Sequence, residues 1–160
     1  MRRMEWAEAR RCLLDVRARL LEPGAGTIRM SLSHTQGIAI GVWLRLDPAD
    51  ETTVLAVGVD IESSSREMSP KVIQRVASPA EMRHARVEPI ELWVIKEACY
   101  KANPASQDTV LSHYEIRTIS RKTGRGTVVC STAPDLVFMF AFVSDAGWTA
   151  AFAASRRAGT

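Results

Sequence analysis

The spacing of apolar residues changes along this chain, and the order of the changes limits the fold it can adopt. Over 5–21, Trp6, Ala9, Leu13, Leu14, Val16, Leu20 and Leu21 recur among Arg and Glu at a helical period that stops at Pro23-Gly24, which predicts an amphipathic helix. The stretches 38–46 and 54–61 are apolar runs of strand length, joined by Asp47-Pro48-Ala49-Asp50, whose turn residues favour pairing the two antiparallel. From 69 to 103 the period is helical in pieces, with Ser69-Pro70 and Ser78-Pro79 placed as N-cap and first-turn pairs. Strand patterns return at 113–119, 127–131, 136–143 and 148–154, separated by a Gly-containing basic loop at 120–126 and a hairpin turn at 144–147. Strands, then helices, then strands with short connections predict an α+β fold, a mainly antiparallel sheet packed against helices.

No internal repeat, low-complexity segment or linker divides the 160 residues, so a single domain over 1–160 is expected. Lys and Arg number 21 against 18 Asp and Glu, and a net charge of +3 without a basic stripe argues for no nucleic-acid partner. Cys12, Cys99 and Cys130 are odd in number and fall in no CxxC or zinc-ligand spacing, so reduced thiols are expected. No apolar run approaches the roughly 20 residues of a membrane helix. The first eleven residues are charged and lack the apolar stretch of a signal peptide. The expectation is a cytoplasmic protein with no membrane partner.

In Val57-Gly58-Val59-Asp60-Ile61-Glu62, strand alternation sends the three aliphatic side chains to one face and Gly58, Asp60 and Glu62 to the other. Read alone, this D-x-E is an acidic strand face turned to solvent. It is also the donor set of a hard cation, because Mg²⁺ takes oxygen ligands and is held by one or two carboxylates together with substrate phosphates. A second element runs from Glu91 to Lys101. On a helical wheel Leu92, Val94, Ile95, Ala98 and Cys99 share one side, and Trp93, Lys96, Glu97, Tyr100 and Lys101 share the other. Glu97 and Lys101 alone make an ordinary i,i+4 surface pair. Trp93 and Tyr100, however, put bulky rings on the charged side, where they could floor a ligand cleft. The third element, Ser31-Leu32-Ser33-His34-Thr35-Gln36-Gly37, reads as a short polar segment leading into a strand, and its His34 taken singly is a local surface residue. His84 and His113 have no chemical neighbours in the sequence and read as structural.

In order, S-H-T at 33–35, G-V-D-I-E at 58–62 and W-x-x-K-E-A-x-x-K at 93–101 resemble the three signatures of the 4'-phosphopantetheinyl transferases, of the surfactin-synthetase-activating type. Between them, Arg75-Val76-Ala77-Ser78-Pro79-Ala80-Glu81 is similar to that family's R-x-F-S-x-x-E stretch, and 138–154 around Gly147 is similar to its closing hairpin. The resemblance covers 30–154, the catalytic half of the family's fold, and leaves 1–29 as a reduced N-terminal part. It implies Mg²⁺-dependent transfer of the phosphopantetheine arm of coenzyme A to a serine of an apo carrier protein, with release of adenosine 3',5'-bisphosphate. By the same resemblance Asp60 and Glu62 would hold Mg²⁺, and Glu97 would complete the metal site or, through a water, take the serine proton. Lys101 would neutralise the coenzyme A pyrophosphate with Lys96 supporting that region, and Ser33 and His34 would face the ribose 3'-phosphate. Phosphoryl transfer of this kind rests on positioning and charge neutralisation, which a metal and a lysine supply. The partner brings the nucleophile, and carrier proteins are acidic, so Arg83 and Arg86 would have a use.

The chain departs from the family pattern before S-H-T, where the expected G-K-P is replaced by 23–29 with Arg29 as its one basic residue. The two-halved members carry a larger N-terminal half, so an oligomer is expected here, a homodimer in preference, in which a neighbour covers the sheet edge and cleft wall. The alternative is a non-catalytic member that keeps the fold and metal residues but has weak or no coenzyme A binding and serves as a carrier-protein or synthetase-binding module. A generic Mg²⁺ phosphohydrolase would account for the carboxylates but not for the ordered 93–101 segment.

Overall fold

The computed structural model describes residues 27–159 apart from Ala49, together with Ala7, Arg11, Asp15, Val16 and Ala18, which are helical. The rest of the helix predicted over 5–21, the thiol of Cys12 and the side chain of His84 lie outside the described residues. Strands β1 (Ile28–Thr35), β2 (Ile38–Arg45) and β3 (Ala56–Ser63) precede helices α1 (Pro70–Val76), α2 (Pro79–Ala85) and α3 (Pro89–Lys101). Strands β4 (Tyr114–Ser120), β5 (Arg125–Cys130), β6 (Ala133–Ser144) and β7 (Trp148–Arg157) follow. β1 and β2 form a two-stranded sheet, and the other five form a second sheet in the order β3-β7-β6-β5-β4. Every pairing is antiparallel. The fold is α+β, with antiparallel sheets packed against helices. No helix among the described residues is long and apolar enough to cross a membrane.

One strand pairing differs from the sequence expectation. β2 pairs with β1 instead of β3, and β3 takes β7, with Asp60 opposite Ala151 and Glu62 opposite Thr149. The reason is local: Gln36 and Gly37 both adopt positive φ, 35° and 83°, the two-residue turn that matches strand twist in a tight hairpin. Residues 31–35, read from sequence as a polar lead-in, are therefore half of a hairpin.

Both Ser-Pro steps start helices as expected. Ser69 Oγ accepts from the Val72 N–H and Ser78 Oγ from the Glu81 N–H, satisfying donors that a first turn leaves open. At the head of α3, Glu91 accepts from the Glu88 N–H at 2.8 Å and from Arg121 at 2.6 Å, which ties the basic β4–β5 loop to the helix.

α3 lies on the large sheet and builds the core. Leu92, Val94, Ile95, Ala98 and Cys99 pack with Tyr114, Val128, Phe138 and Phe140, all but fully buried, each large apolar side chain contributing about 1.5–3 kcal/mol. Gly58 sets how close the helix can come. A Cβ there would stand 2.0 Å from the Ala98 carbonyl oxygen and 2.7 Å from the Ala102 nitrogen, so only glycine allows β3 to touch the α3 backbone. That contact carries Glu97 and Lys101 to the strand bearing Asp60.

Candidate functional site

Asp60 is the centre of the site, 5% exposed although it points from an acidic strand. Its Oδ1 accepts from Ser33 Oγ at 2.7 Å and from Lys101 Nζ at 2.7 Å, and Lys101 also donates to the Val59 carbonyl at 3.1 Å. Its Oδ2 is buried and accepts from nothing. Two residues on, Glu62 accepts from Thr35 Oγ1 at 3.2 Å and forms an ion pair with Arg66. The Arg66 guanidinium lies 5.0 Å from the centroid of the Trp93 ring, so the loop after β3 folds over the start of the α3 polar side.

Glu97 faces this group from α3. Burial, and after it the negative charge of Asp60, raises its pKa above the usual carboxylate range; Lys101 opposes the rise and Glu62 adds to it. Glu97 also lines a cleft of about 460 Å³ whose other walls are Val72, Arg75 and Val76 of α1, Trp93 and Tyr100 of α3, and Val110 and Leu111. The apolar cleft thus opens on the acidic group, as the two rings on the charged side of the helix suggested.

Asp60, Glu62, Glu97, Lys101 and Ser33 are brought into one neighbourhood by β1, β3 and α3. His34 follows Ser33 on β1, half-buried. Lys96 is not part of the group. It has no exposed surface, and its ammonium donates to Val76 O at 2.6 Å and Glu81 Oε2 at 2.8 Å. The helical wheel placed it with Glu97, but α1 and α2 cover that flank of α3 and turn the lysine into a core brace. Burial lowers its pKa, and the bond and charge of Glu81 oppose that shift. Arg66 and Thr35 were missed from sequence. Thr35 was legible as the third hydroxyl of an alternating Ser31, Ser33, Thr35 row, whereas Arg66 reaches Glu62 only through the loop's path.

The residues present fit a hard cation. All donors are carboxylate oxygens, one of them a buried oxygen without a partner, and the charges of Asp60 and Glu62 press on Glu97 in the way a divalent ion would relieve. Among the described residues no three His, Cys, Asp or Glu side chains close into a cage. Mg²⁺ does not need one, because it keeps several waters and shares its ligation with substrate phosphates.

The geometry thus sets an acidic pair and a lysine beside Glu97, which lines an apolar-walled cleft. The model of the 4'-phosphopantetheinyl transferase superfamily matches residues 56–153, more than half of the chain, and the chain belongs to that superfamily. Among solved structures it is similar to apo-ACPS from Chronobacterium ammoniagenes and to the ACPS–CoA complex from the same organism. Each shares 23% identity and covers 64% of this chain and 96% of its own, with TM-scores of 0.43 and 0.42. No curated protein matches the sequence. The matched span begins at β3, so the β1–β2 hairpin lies outside it.

Proposed function

We propose that this chain is a Mg²⁺-dependent transferase that moves 4'-phosphopantetheine from coenzyme A to a serine of an apo acyl or peptidyl carrier protein, releasing adenosine 3',5'-bisphosphate. The observation that carries the proposal is Asp60, a buried carboxylate with one oxygen held by Lys101 and Ser33 and the other without a partner, beside Glu97 at the cleft mouth. Asp60, Glu62 and Glu97 would hold Mg²⁺, which when bound neutralises charge on the pyrophosphate.

The chain's own residues then have separable tasks. Lys101, fixed at the same end of the cleft, supplies a second positive charge to the pyrophosphate. His34 would face the 3'-phosphate end, while the Ser33 hydroxyl is turned to Asp60. The pantetheine arm, a slender chain in which methylene and gem-dimethyl groups alternate with two amides, would lie along Trp93, Tyr100, Val72 and Leu111. The carrier serine oxygen bonds to the phosphorus of the pantetheine phosphate, the P–O bond to the adenosine-side phosphate breaks, and the serine proton passes to Glu97 directly or through a water. Glu97 lines the cleft, which is where a proton acceptor for that serine must stand. Exposed Lys71, Arg75, Arg83 and Arg86 on and after α1 and α2 offer cations to an acidic carrier. The free, buried thiols of Cys99 and Cys130 suit the cytoplasm, where both co-substrates would be met. A homodimer remains part of this reading, checked by the particle mass in solution.

The test is incubation with coenzyme A, Mg²⁺ and apo carriers of fatty-acid and peptide-synthetase type, read by the phosphopantetheine mass increase on the carrier. Transfer should occur with the unaltered protein and be abolished in Asp60→Ala and Glu97→Ala with the fold intact. No transfer to any carrier, with no calorimetric binding of coenzyme A, would sink the reading. A variant at either carboxylate with full activity would remove that residue from the site.

A further inference from the structure

The β1–β2 hairpin packs along β3 although the two belong to different sheets. Side chains make the connection. Alternation along β1 directs Ser31, Ser33 and Thr35 to one side, and they meet three successive groups of β3: Ser31 Oγ accepts from the Val59 N–H at 3.1 Å, Ser33 Oγ donates to Asp60 Oδ1 at 2.7 Å, and Thr35 Oγ1 donates to Glu62 Oε2 at 3.2 Å. Each carboxylate of the D-x-E pair thus receives one hydroxyl from the hairpin.

We propose that Ser33 and Thr35 are positioning residues that orient the Asp60 and Glu62 carboxylates for a divalent cation; this rests on the metal reading given above. On Asp60 both donors, Ser33 and Lys101, converge on Oδ1, so the plane of the carboxylate is fixed and Oδ2 is left with its lone pairs open. A buried oxygen left unpaired carries a desolvation cost, which a bound cation would remove. On Glu62, Thr35 takes Oε2 and Arg66 takes Oε1, which holds that side chain against the strand. His34 lies between the two hydroxyls and, by alternation, on the other side of β1. The S-H-T segment therefore divides between two sides of the strand: its hydroxyls act on the carboxylates, and its imidazole lies on the opposite side of β1. Hydrogen-bonding partners of metal ligands fix ligand direction and are worth a large part of the affinity.

The experiment measures Mn²⁺ binding by electron paramagnetic resonance on the intact chain without coenzyme A, alongside steady-state transfer kinetics and thermal unfolding. Ser33→Ala should weaken Mn²⁺ binding about tenfold, and Thr35→Val by a smaller factor. Thr35→Ser, which keeps the hydroxyl, should bind as the unaltered protein does. In Ser33→Ala kcat should fall while KM for coenzyme A stays within about twofold, because the lost bond acts on the metal site and not on the co-substrate. Unfolding within a few degrees of the unaltered protein separates this from general loosening. Unchanged Mn²⁺ affinity in Ser33→Ala, or a raised KM with kcat intact, would overturn the proposal and give the hydroxyl to coenzyme A. If the unaltered protein binds no Mn²⁺ at millimolar concentration, the metal reading itself fails, and the positioning role with it.

Discussion

Lys101 reaches from the last turn of α3 to set its ammonium 2.7 Å from Oδ1 of Asp60. The Asp60 side chain is 8% exposed and the Lys101 side chain 29%, so this ion pair is only partly screened by water. Removing the lysine leaves a buried carboxylate with Ser33 as its remaining hydrogen-bond donor. Lys101→Met should therefore destabilise the fold by about 2–3 kcal/mol in urea denaturation. Adding Asp60→Asn should return much of that loss, since the charge left behind is what costs. Two single variants whose effects simply add would show that the pair is not coupled.

Gly58 predicts a larger effect from a smaller change. A methyl group at this position meets main-chain atoms of α3 on two sides, and backbone cannot step aside as a flexible side chain can. Gly58→Ala should cost about 3 kcal/mol or more and displace Glu97 and Lys101 from Asp60. Calorimetry would read the first effect and transfer kinetics the second; a variant melting with the unaltered protein would refute the close approach.

The brace between Lys96 and Glu81 gives a third prediction. Glu81 accepts from Lys96 through Oε2 and from the Ile116 N–H through Oε1, joining α2, α3 and β4 in the interior. Lys96→Met alone should cost about 3–5 kcal/mol, because it strands a buried carboxylate. Combined with Glu81→Gln most of this should return, and KM for coenzyme A should stay near its original value in the double variant. A KM rise in that stable double variant would put Lys96 back in the co-substrate site.

Tyr114 makes stability depend on alkaline pH. Its hydroxyl pairs with Asn103 at 2.8 Å and Thr109 at 3.0 Å. Burial pushes its ionisation up to about 12 from 10, against the pull of those two bonds. The folded state then holds the proton over a range in which the unfolded chain has lost it, so this contribution is complete below pH 10 and disappears as the pH approaches 12. Tyr114→Phe should be less stable by about 1–2 kcal/mol at pH 8, and the gap should narrow through the alkaline range. Parallel denaturation curves at every pH would contradict it.

What the sequence revealed and what it hid follow from how local each determinant is. The caps at Ser69 and Ser78 were legible because a serine before a proline acts on donors within the next three residues. The shared face of Gly58, Asp60 and Glu62 follows from strand alternation alone. The partner of β2 was not legible from its own hydrophobic run, since Asp47-Pro48-Ala49-Asp50 and Gln36-Gly37 both advertise turns and only the second has the two-residue geometry of a tight hairpin. The burial of Lys96 was not legible for a different reason: a helical wheel orders residues by angle, but which angles meet solvent depends on what packs there. Here α1 and α2 cover one flank of the charged side and leave Trp93, Glu97 and Tyr100 on the cleft.

At Val59, midway along β3, the N–H is given to Ser31 and the carbonyl to Lys101. The margin of the large sheet that carries the acidic group is thereby closed from within the chain, and an incoming strand finds no free ladder positions at that residue. β4 is the strand at the other margin. Copies that associate strand to strand would meet through β4 or through the small hairpin, and each would keep its own Asp60, Glu97 and Lys101 together. Dilution of such an assembly should leave the acidic group of each chain intact, and transfer lost on dilution would show that the neighbour supplies a wall of the cleft and not a member of that group.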